Sequence, residues 1–89
     1  MVRMEVFSGD PPCPGCVAIL ELADEFEGKY AGELEVVRLI GQDAVGKFEE
    51  YGLSCVPAVV VNETIRIVGM CPSKATLTNA LREGGLWIR

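Results

Sequence analysis

The segment SGDPPCPGC, residues 8–16, decides how this chain folds, because it separates two segments of different periodicity. The residues before it form an apolar run that predicts a β-strand over Val2–Ser8, ended by the glycine and prolines that follow. After it, apolar residues recur at intervals of three and four, which predicts a helix to about Tyr30. Two cysteines, Cys13 and Cys16, therefore lie at a strand-to-helix junction.

The rest of the chain continues this alternation. The predicted elements are a strand over residues 34–40, a helix over 41–51, a hairpin of strands over 57–61 and 64–68, and a helix over 73–83. The first βαβ unit requires parallel strands with a right-handed crossover. The sequence thus predicts an α/β fold in the order β-α-β-α-β-β-α. We expect a four-stranded mixed sheet with helices on both faces, forming one domain over residues 1–89.

The composition and net charge of the chain argue against several classes of function. A chain of 89 residues has room for one small core. Its net charge of −5 argues against nucleic acid as a partner, and the absence of histidine removes the commonest metal ligand and general base. Arg3 and Glu5 interrupt the first apolar run, which is unlike a signal peptide, and no apolar stretch is long enough to span a membrane. We expect a cytoplasmic monomer without a membrane partner, in a compartment that keeps thiols reduced.

The placement of the two cysteines favours redox chemistry. Cys13 falls at the N-cap of the first helix, and Pro14 occupies the first helical position, where its missing N–H costs nothing. The amides of Gly15 and Cys16 are then free to donate to the Cys13 sulfur, and the helix dipole favours a thiolate there. Cys16 lies on the apolar stripe, so we expect it to be buried and to keep an ordinary pKa. An exposed nucleophile with a sheltered partner one turn away can form and release a mixed disulfide.

Other interpretations of the pair remain open at this stage. A structural disulfide across three residues closes a very small loop and stabilises little. A metal or iron–sulfur site needs a second close pair, and Cys55 and Cys71 are far apart in the sequence. The spacing could also arise by chance. A redox pair that needs no cofactor is the favoured hypothesis, and a metal or iron–sulfur carrier built on the same cysteines is an alternative.

Three segments together resemble the glutaredoxin and thioredoxin superfamily. They are Cys-Pro-Gly-Cys at residues 13–16, Val56-Pro57 at the start of an apolar strand, and Gly-Met-Cys at residues 69–71 before the last helix. The chain is most similar to the short glutaredoxin-like proteins, which lack an extra N-terminal strand and helix. The resemblance implies a thioredoxin-like fold, a cis peptide bond before Pro57, and a thiol–disulfide oxidoreductase that reduces protein disulfides.

The resemblance also implies roles for individual residues and partners. Cys13 attacks the substrate disulfide, and Cys16 resolves the mixed disulfide. The electrons come from a reductase that the sequence does not identify. A glutathione-dependent glutaredoxin is the second alternative. Asp10 and Ser73 stand where glutaredoxins usually place a lysine and an aspartate that hold glutathione, so the glutathione site is incomplete. The residues expected to contact substrate are Pro14, Gly15, Val56, Pro57 and Gly69.

The predicted topology also places the two remaining cysteines. The first strand ends, the third begins and the fourth ends at the same edge of the sheet. We therefore expect Cys55 and Cys71 to lie at that edge with the redox pair, without forming a structural disulfide.

Overall fold

The computed structural model describes residues 2–11, 13–53, 55–69 and 72–85. It confirms the predicted α/β class and the order of its elements. These are β1 (Val2–Ser8), α1 (Pro14–Lys29), β2 (Leu34–Ile40), α2 (Gln42–Glu50), β3 (Ala58–Val61), β4 (Ile65–Val68) and α3 (Lys74–Glu83). The predicted bounds of β1 and β2 match the structure. Elsewhere they differ by one residue, because residues such as Ser73 cap a helix and lie outside it.

The four strands form one mixed sheet in the order β2-β1-β3-β4. β1 is parallel to β2 and antiparallel to β3, and β4 returns antiparallel to β3. All four residues of β3 are buried, as expected for an apolar strand covered on both faces. The end of β1, the start of β3 and the end of β4 therefore share one edge of the sheet, and the cysteine pair follows β1 at that edge.

Helices cover both faces of the sheet, as predicted. On one face, α1 and α3 pack on alternate strand residues and enclose the larger core, with members Val2, Met4, Val6, Ile19, Leu22, Ala23, Phe26, Leu34, Val59, Val61, Leu77, Ala80 and Leu81. On the other face, α2 and the segment after it enclose a smaller core of Phe7, Ala44, Tyr51, Leu53, Ala58 and Val60. The period-two alternation of strand side chains divides neighbouring residues between the two cores.

The buried face of α1 differs in one respect from the sequence prediction. The apolar residues that recur at intervals of three and four in this helix include Leu20 and Tyr30, but both are only partly buried, whereas Leu22, which is outside the predicted stripe, is buried. Leu22 and Pro72 line the same surface groove between α1 and α3. Leu22 belongs to the core that also contains Leu77 and Leu81 of α3, and the periodicity of α1 alone could not show this.

None of the helices in the described ranges is long and apolar enough to cross a membrane.

Candidate redox site

Cys13 caps the N-terminus of α1, as the sequence predicted. Its backbone is extended, with φ −74° and ψ 170°, and its sulfur accepts a hydrogen bond of 3.3 Å from the Cys16 amide. Pro14 follows as the first helical residue. Of the two amides expected to donate to this sulfur, only that of Cys16 does so in the described structure. The cap therefore uses the third helical amide, one of the two arrangements open to an N-cap side chain.

The two thiols differ sharply in exposure and lie in contact. Cys13 is exposed, whereas Cys16 is fully buried. Their sulfur atoms are 2.9 Å apart, and the Cys13 thiol donates a hydrogen bond to the Cys16 sulfur. Both cysteines are in the thiol form. A substrate in solution can reach Cys13, and the buried sulfur is already placed to attack any bond made there.

The expectation that Cys16 keeps an ordinary pKa is wrong. Burial acts to raise the pKa of Cys16, but hydrogen bonds to its sulfur outweigh burial and lower it. The largest of these comes from the Cys13 side chain, followed by the amides of Gly9 and Cys13 and by the Ser8 side chain. The buried Cys16 thiol therefore ionises more readily than its burial alone would allow.

Ser8 and Gly9 are site residues that the sequence analysis missed. Ser8 is the last residue of β1 and is 1% exposed, and its hydroxyl also lies 2.9 Å from the Gly9 carbonyl oxygen. One hydroxyl proton can serve only one of these acceptors at a time. The hydroxyl can rotate away from the Gly9 carbonyl and donate its hydrogen bond to a thiolate at Cys16 instead. The sequence indicated these two residues only by their position, because residues between a strand and the following helix face the N-terminus of that helix.

Pro57 packs against the start of α1 from the neighbouring strand. The Val56–Pro57 peptide bond is cis, as the resemblance implied, and the Asp10–Pro11 bond is cis as well. A β-carbon placed on Gly15 would lie 3.2 Å from Cγ and Cδ of Pro57. A larger residue at position 15 would therefore push the proline ring away from the cysteine pair.

The other predicted substrate contacts lie around this junction. The Gly69 amide donates a 2.9 Å hydrogen bond to the Pro57 carbonyl, which joins the end of β4 to the start of β3. Val56 is partly exposed, and a β-carbon placed on Gly9 would lie 3.8 Å from its Cγ2 atom. Pro14 is exposed beside Cys13. All five predicted contact residues thus surround the edge where the redox pair lies.

The structure places Cys55 at the same edge, as predicted. A β-carbon placed on Gly69 would lie 3.0 Å from the Cys55 sulfur, and Cys55 is exposed. Cys71 lies outside the described residues, so its predicted position stays a prediction. In the described ranges, no three cysteine, aspartate or glutamate side chains are grouped as a metal ion would require.

Comparison with known proteins identifies the family. The family model described as "Thioredoxin domain" matches residues 2–82. A protein named "Probable Thioredoxin" from Methanothermobacter thermautotrophicus is 34% identical over 83 residues, which cover 93% of this chain and 95% of the relative. The "Thioredoxin" of Methanocaldococcus jannaschii is 29% identical over 82 residues, covering 92% of this chain and 94% of the relative.

Solved structures agree with this family at the level of the fold. A malarial protein superposes with a TM-score of 0.79 at 13% identity, covering 97% of this chain and 99% of its own. A thioredoxin-like protein from Clostridium perfringens gives a TM-score of 0.76 at 20% identity, covering 96% of this chain and 71% of its own. The matched length and the Cys13–Cys16 geometry agree, and the chain belongs to the thioredoxin family of thiol–disulfide oxidoreductases.

Proposed function

We propose that this protein reduces disulfides in protein substrates through a dithiol–disulfide cycle of Cys13 and Cys16. One observation carries the proposal: an exposed thiol caps a helix and lies 2.9 Å from a buried thiol whose pKa is lowered. The exposed sulfur can be reached by a macromolecular substrate, and the buried one cannot. This difference in access supports Cys13 as the attacking thiol and Cys16 as the resolving thiol.

The cycle consists of two successive thiol–disulfide exchanges. The Cys13 thiolate attacks one substrate sulfur, a mixed disulfide forms, and the other substrate sulfur leaves as a thiolate that takes up a proton. Cys16 then gives up its proton and attacks the Cys13 sulfur, which releases the second substrate thiol and forms the Cys13–Cys16 disulfide. Two electrons pass to the substrate, and a dithiol reductase returns them to the pair.

The substrate chain is held beside the pair by strand-like pairing. The Val56–Pro57 segment precedes β3 and lies at the edge next to Gly15, where an extended peptide would pair with the backbone at Val56. Pro14 and Gly69 border the same edge and complete the proposed contact surface. None of the described residues that form this surface is basic, which favours protein disulfides over the anionic tripeptide glutathione.

The test is reduction of insulin disulfides with dithiothreitol as electron donor. We expect wild type and Cys55→Ser to accelerate precipitation of the insulin B chain, and Cys13→Ser to do no better than dithiothreitol alone. Cys55→Ser is a matched control, because it makes the same change in another exposed cysteine at the same edge. Equal rates for wild type and Cys13→Ser would refute the proposal.

Further measurements separate the alternative functions and test the expected partners. Regeneration of the oxidised protein by a dithiol reductase, and not by glutathione, supports the proposed electron source, and the reverse result supports a glutaredoxin. Visible absorbance or bound metal in the protein as purified would support the carrier. Sedimentation as a monomer, without binding to nucleic acid or to lipid vesicles, is the expected state.

A further inference from the structure

Ser8 is a buried polar residue directly before the segment that carries the redox pair. It ends β1 and is 1% exposed. Among the described residues, only Glu5 is buried and polar as well, and its carboxyl group is held by the Tyr51 hydroxyl. The Ser8 hydroxyl donates a 2.9 Å hydrogen bond to the carbonyl of its neighbour in the chain, Gly9. This local bond holds no two elements together, so the hydroxyl can change its acceptor without disturbing the fold.

The second acceptor within reach of this hydroxyl is the Cys16 sulfur. The Ser8 side chain forms a hydrogen bond with this sulfur that acts to lower the pKa of the Cys16 thiol. Cys16 is fully buried, so water cannot supply donors to a thiolate there. Any stabilisation of the charged sulfur must therefore come from the protein groups around it.

In the reduced protein, several donors act on the Cys16 sulfur, and the effect of Ser8 is the smallest of them. The largest effect comes from the Cys13 side chain, whose sulfur lies 2.9 Å away, followed by the amides of Gly9 and Cys13. The backbone fixes the two amides in place. The Cys13 side chain is different, because it has a proton to donate only while it is a free thiol.

No charged side chain is among the main influences on the Cys16 sulfur. The first turn of α1 has no acidic residue, and Asp10, in the turn before α1, lies against Gly41 on the side of α2. Glu49 of α2 lines the same surface pocket as Ser8 but is likewise not among these influences. The site therefore stabilises a buried thiolate mainly through hydrogen bonds.

The mixed disulfide removes the strongest of these donors. Once the Cys13 sulfur is bonded to a substrate sulfur, it has no proton and cannot donate to Cys16. This loss occurs at the step in which Cys16 must ionise and attack, since the thiolate is the attacking form. Among the described groups that act on Cys16, the Ser8 hydroxyl is then the one remaining side-chain donor, and it changes acceptor by rotation about one bond.

We propose that Ser8 assists the resolving step by replacing Cys13 as the side-chain donor to Cys16. In the mixed disulfide, the Ser8 hydroxyl turns from the Gly9 carbonyl to the Cys16 sulfur and stabilises the thiolate. The Cys16 proton passes to solvent, the thiolate attacks the Cys13 sulfur, and the second substrate sulfur leaves as a thiolate and takes up a proton. Ser8 contributes a hydrogen bond but no proton or electron. The proposal rests on the proposed function and assigns a residue to its second exchange.

The first test measures the donor without any substrate. In the Cys55→Ser/Cys71→Ser background, alkylation of the exposed Cys13 leaves a sulfur without a proton, as in the mixed disulfide, and Cys16 as the only thiol. Ultraviolet absorbance of the thiolate then follows the ionisation of Cys16. We expect Ser8→Ala to move the midpoint of this titration to higher pH, because the thiolate loses a donor. Ser8→Thr keeps a hydroxyl and should keep the midpoint of the parent protein.

The second test separates the two exchanges in time, in the same background without alkylation. A chromogenic aromatic disulfide releases one coloured thiol when Cys13 attacks it and a second when Cys16 resolves the mixed disulfide. Ser8→Ala should leave the first phase nearly unchanged. Loss of one hydrogen bond to a charged sulfur weakens thiolate formation about tenfold, but the more basic thiolate is the better nucleophile. The second phase should therefore be about threefold slower well below the titration midpoint of Cys16 and about threefold faster well above it.

Two comparisons distinguish this role from a merely structural one. Ser73→Ala makes the same change at the cap of α3, where the hydroxyl accepts from the Thr76 amide, and it should leave both phases unchanged. If circular dichroism shows that Ser8→Ala is unfolded, Ser8→Val and Ser8→Thr replace it, because these two side chains have the same shape and differ in the hydroxyl. Ser8→Val should then show the reversal of the rate effect between low and high pH, and Ser8→Thr should not.

The outcomes distinguish this proposal from the one on which it rests. An unchanged Cys16 midpoint in Ser8→Ala would overturn the role of Ser8, whatever the protein reduces. Equal slowing of both phases, or a Ser8→Thr variant that behaves like Ser8→Ala, would overturn it as well. If Ser8→Ala shifts the midpoint but wild type shows no Cys13-dependent reduction of insulin, the proposed function is wrong and the resolving role fails with it, although the hydrogen bond to Cys16 stands.

Discussion

Substituting Tyr51 with phenylalanine should destabilise the protein far more than the loss of one oxygen suggests. The Tyr51 hydroxyl donates a 2.6 Å hydrogen bond to Oε1 of Glu5 in the middle of β1. Glu5 is 1% exposed and Tyr51 9%, and the second carboxyl oxygen, Oε2, has no hydrogen-bond partner in the described structure. Tyr51→Phe keeps the edge-to-face ring contact with Phe7 but leaves both buried carboxyl oxygens without a partner.

The size of the expected destabilisation follows from leaving the Glu5 carboxyl group buried without a donor. When the hydrogen bond is removed, the carboxyl group stays buried without a partner, and its desolvation is no longer offset. We therefore expect the free energy of unfolding of Tyr51→Phe to fall by about 2–3 kcal/mol. Replacing both partners with apolar residues removes that cost. The double variant Glu5→Leu/Tyr51→Phe should therefore be more stable than Tyr51→Phe alone, to within about 1 kcal/mol of wild type.

Urea unfolding of wild type, both single variants and the double variant at neutral pH measures these differences as one double-mutant cycle. Each variant should keep the wild-type dependence on urea concentration, since the folded core is retained. Additive losses in the double variant, or a loss below about 0.5 kcal/mol in Tyr51→Phe, would refute the account of a buried carboxyl held by one donor.

The same pair gives a pH signature. Burial, together with the hydrogen bond to Glu5, raises the pKa of Tyr51 above its ordinary value of 10.0. Below that pH the tyrosine is protonated in both states. As the pH rises through 10.0, the unfolded chain loses this proton while the folded chain retains it, so the free energy of unfolding falls. Wild type should lose more stability than Tyr51→Phe between about pH 9 and about pH 11, and equal losses would contradict the assignment.

Three further substitutions test other parts of the fold by the same urea assay. Asn62→Gly keeps the left-handed backbone at φ 49° but loses the side-chain hydrogen bonds to the Arg3 amide and the Gly84 carbonyl. We expect about 1–2 kcal/mol of destabilisation, and an unchanged urea midpoint would contradict this. Ser73→Ala removes the α3 cap that accepts from the Thr76 amide and should cost about 1 kcal/mol, while Ser73→Asp should restore it. Leu77→Ala opens a cavity at a fully buried site and should cost about 2–5 kcal/mol, whereas a loss below 1 kcal/mol would mean that this core is not well packed.

Much of this structure follows from local sequence signals. β1 and β2 are bounded by turn residues and rich in β-branched side chains, so their extents could be predicted. The N-cap of α1 followed from Pro14, because proline is favoured at the first helical position and the residue before it, Cys13, is then the cap. The cis bond before Pro57 came from the family resemblance and not from local chemistry, since most prolines follow trans bonds.

The features that escaped prediction depend on contacts between distant segments. Tyr51 and Glu5 are 46 positions apart, and nothing local to either residue indicates the other. Leu22 is buried in a core that it shares with Leu77 and Leu81, which follow it far along the chain. The lowered pKa of Cys16 depends first on the hydrogen bond from the Cys13 side chain and then on the amides of Gly9 and Cys13, whose positions are set by the turn after β1. The periodicity of apolar residues predicts one helix or strand at a time, and it does not predict which side chains of different elements come into contact.

The most direct test of the central claim is to trap the mixed disulfide. In Cys16→Ser the resolving thiol is missing, so a protein disulfide attacked by Cys13 should remain attached, and peptide mapping by mass spectrometry should find the substrate cysteine linked to Cys13. Cys13→Ser should trap no substrate, and wild type should release the reduced substrate and accumulate the Cys13–Cys16 disulfide. A substrate found attached to Cys55, or trapped equally well by Cys13→Ser, would contradict the assignment of Cys13 as the attacking thiol.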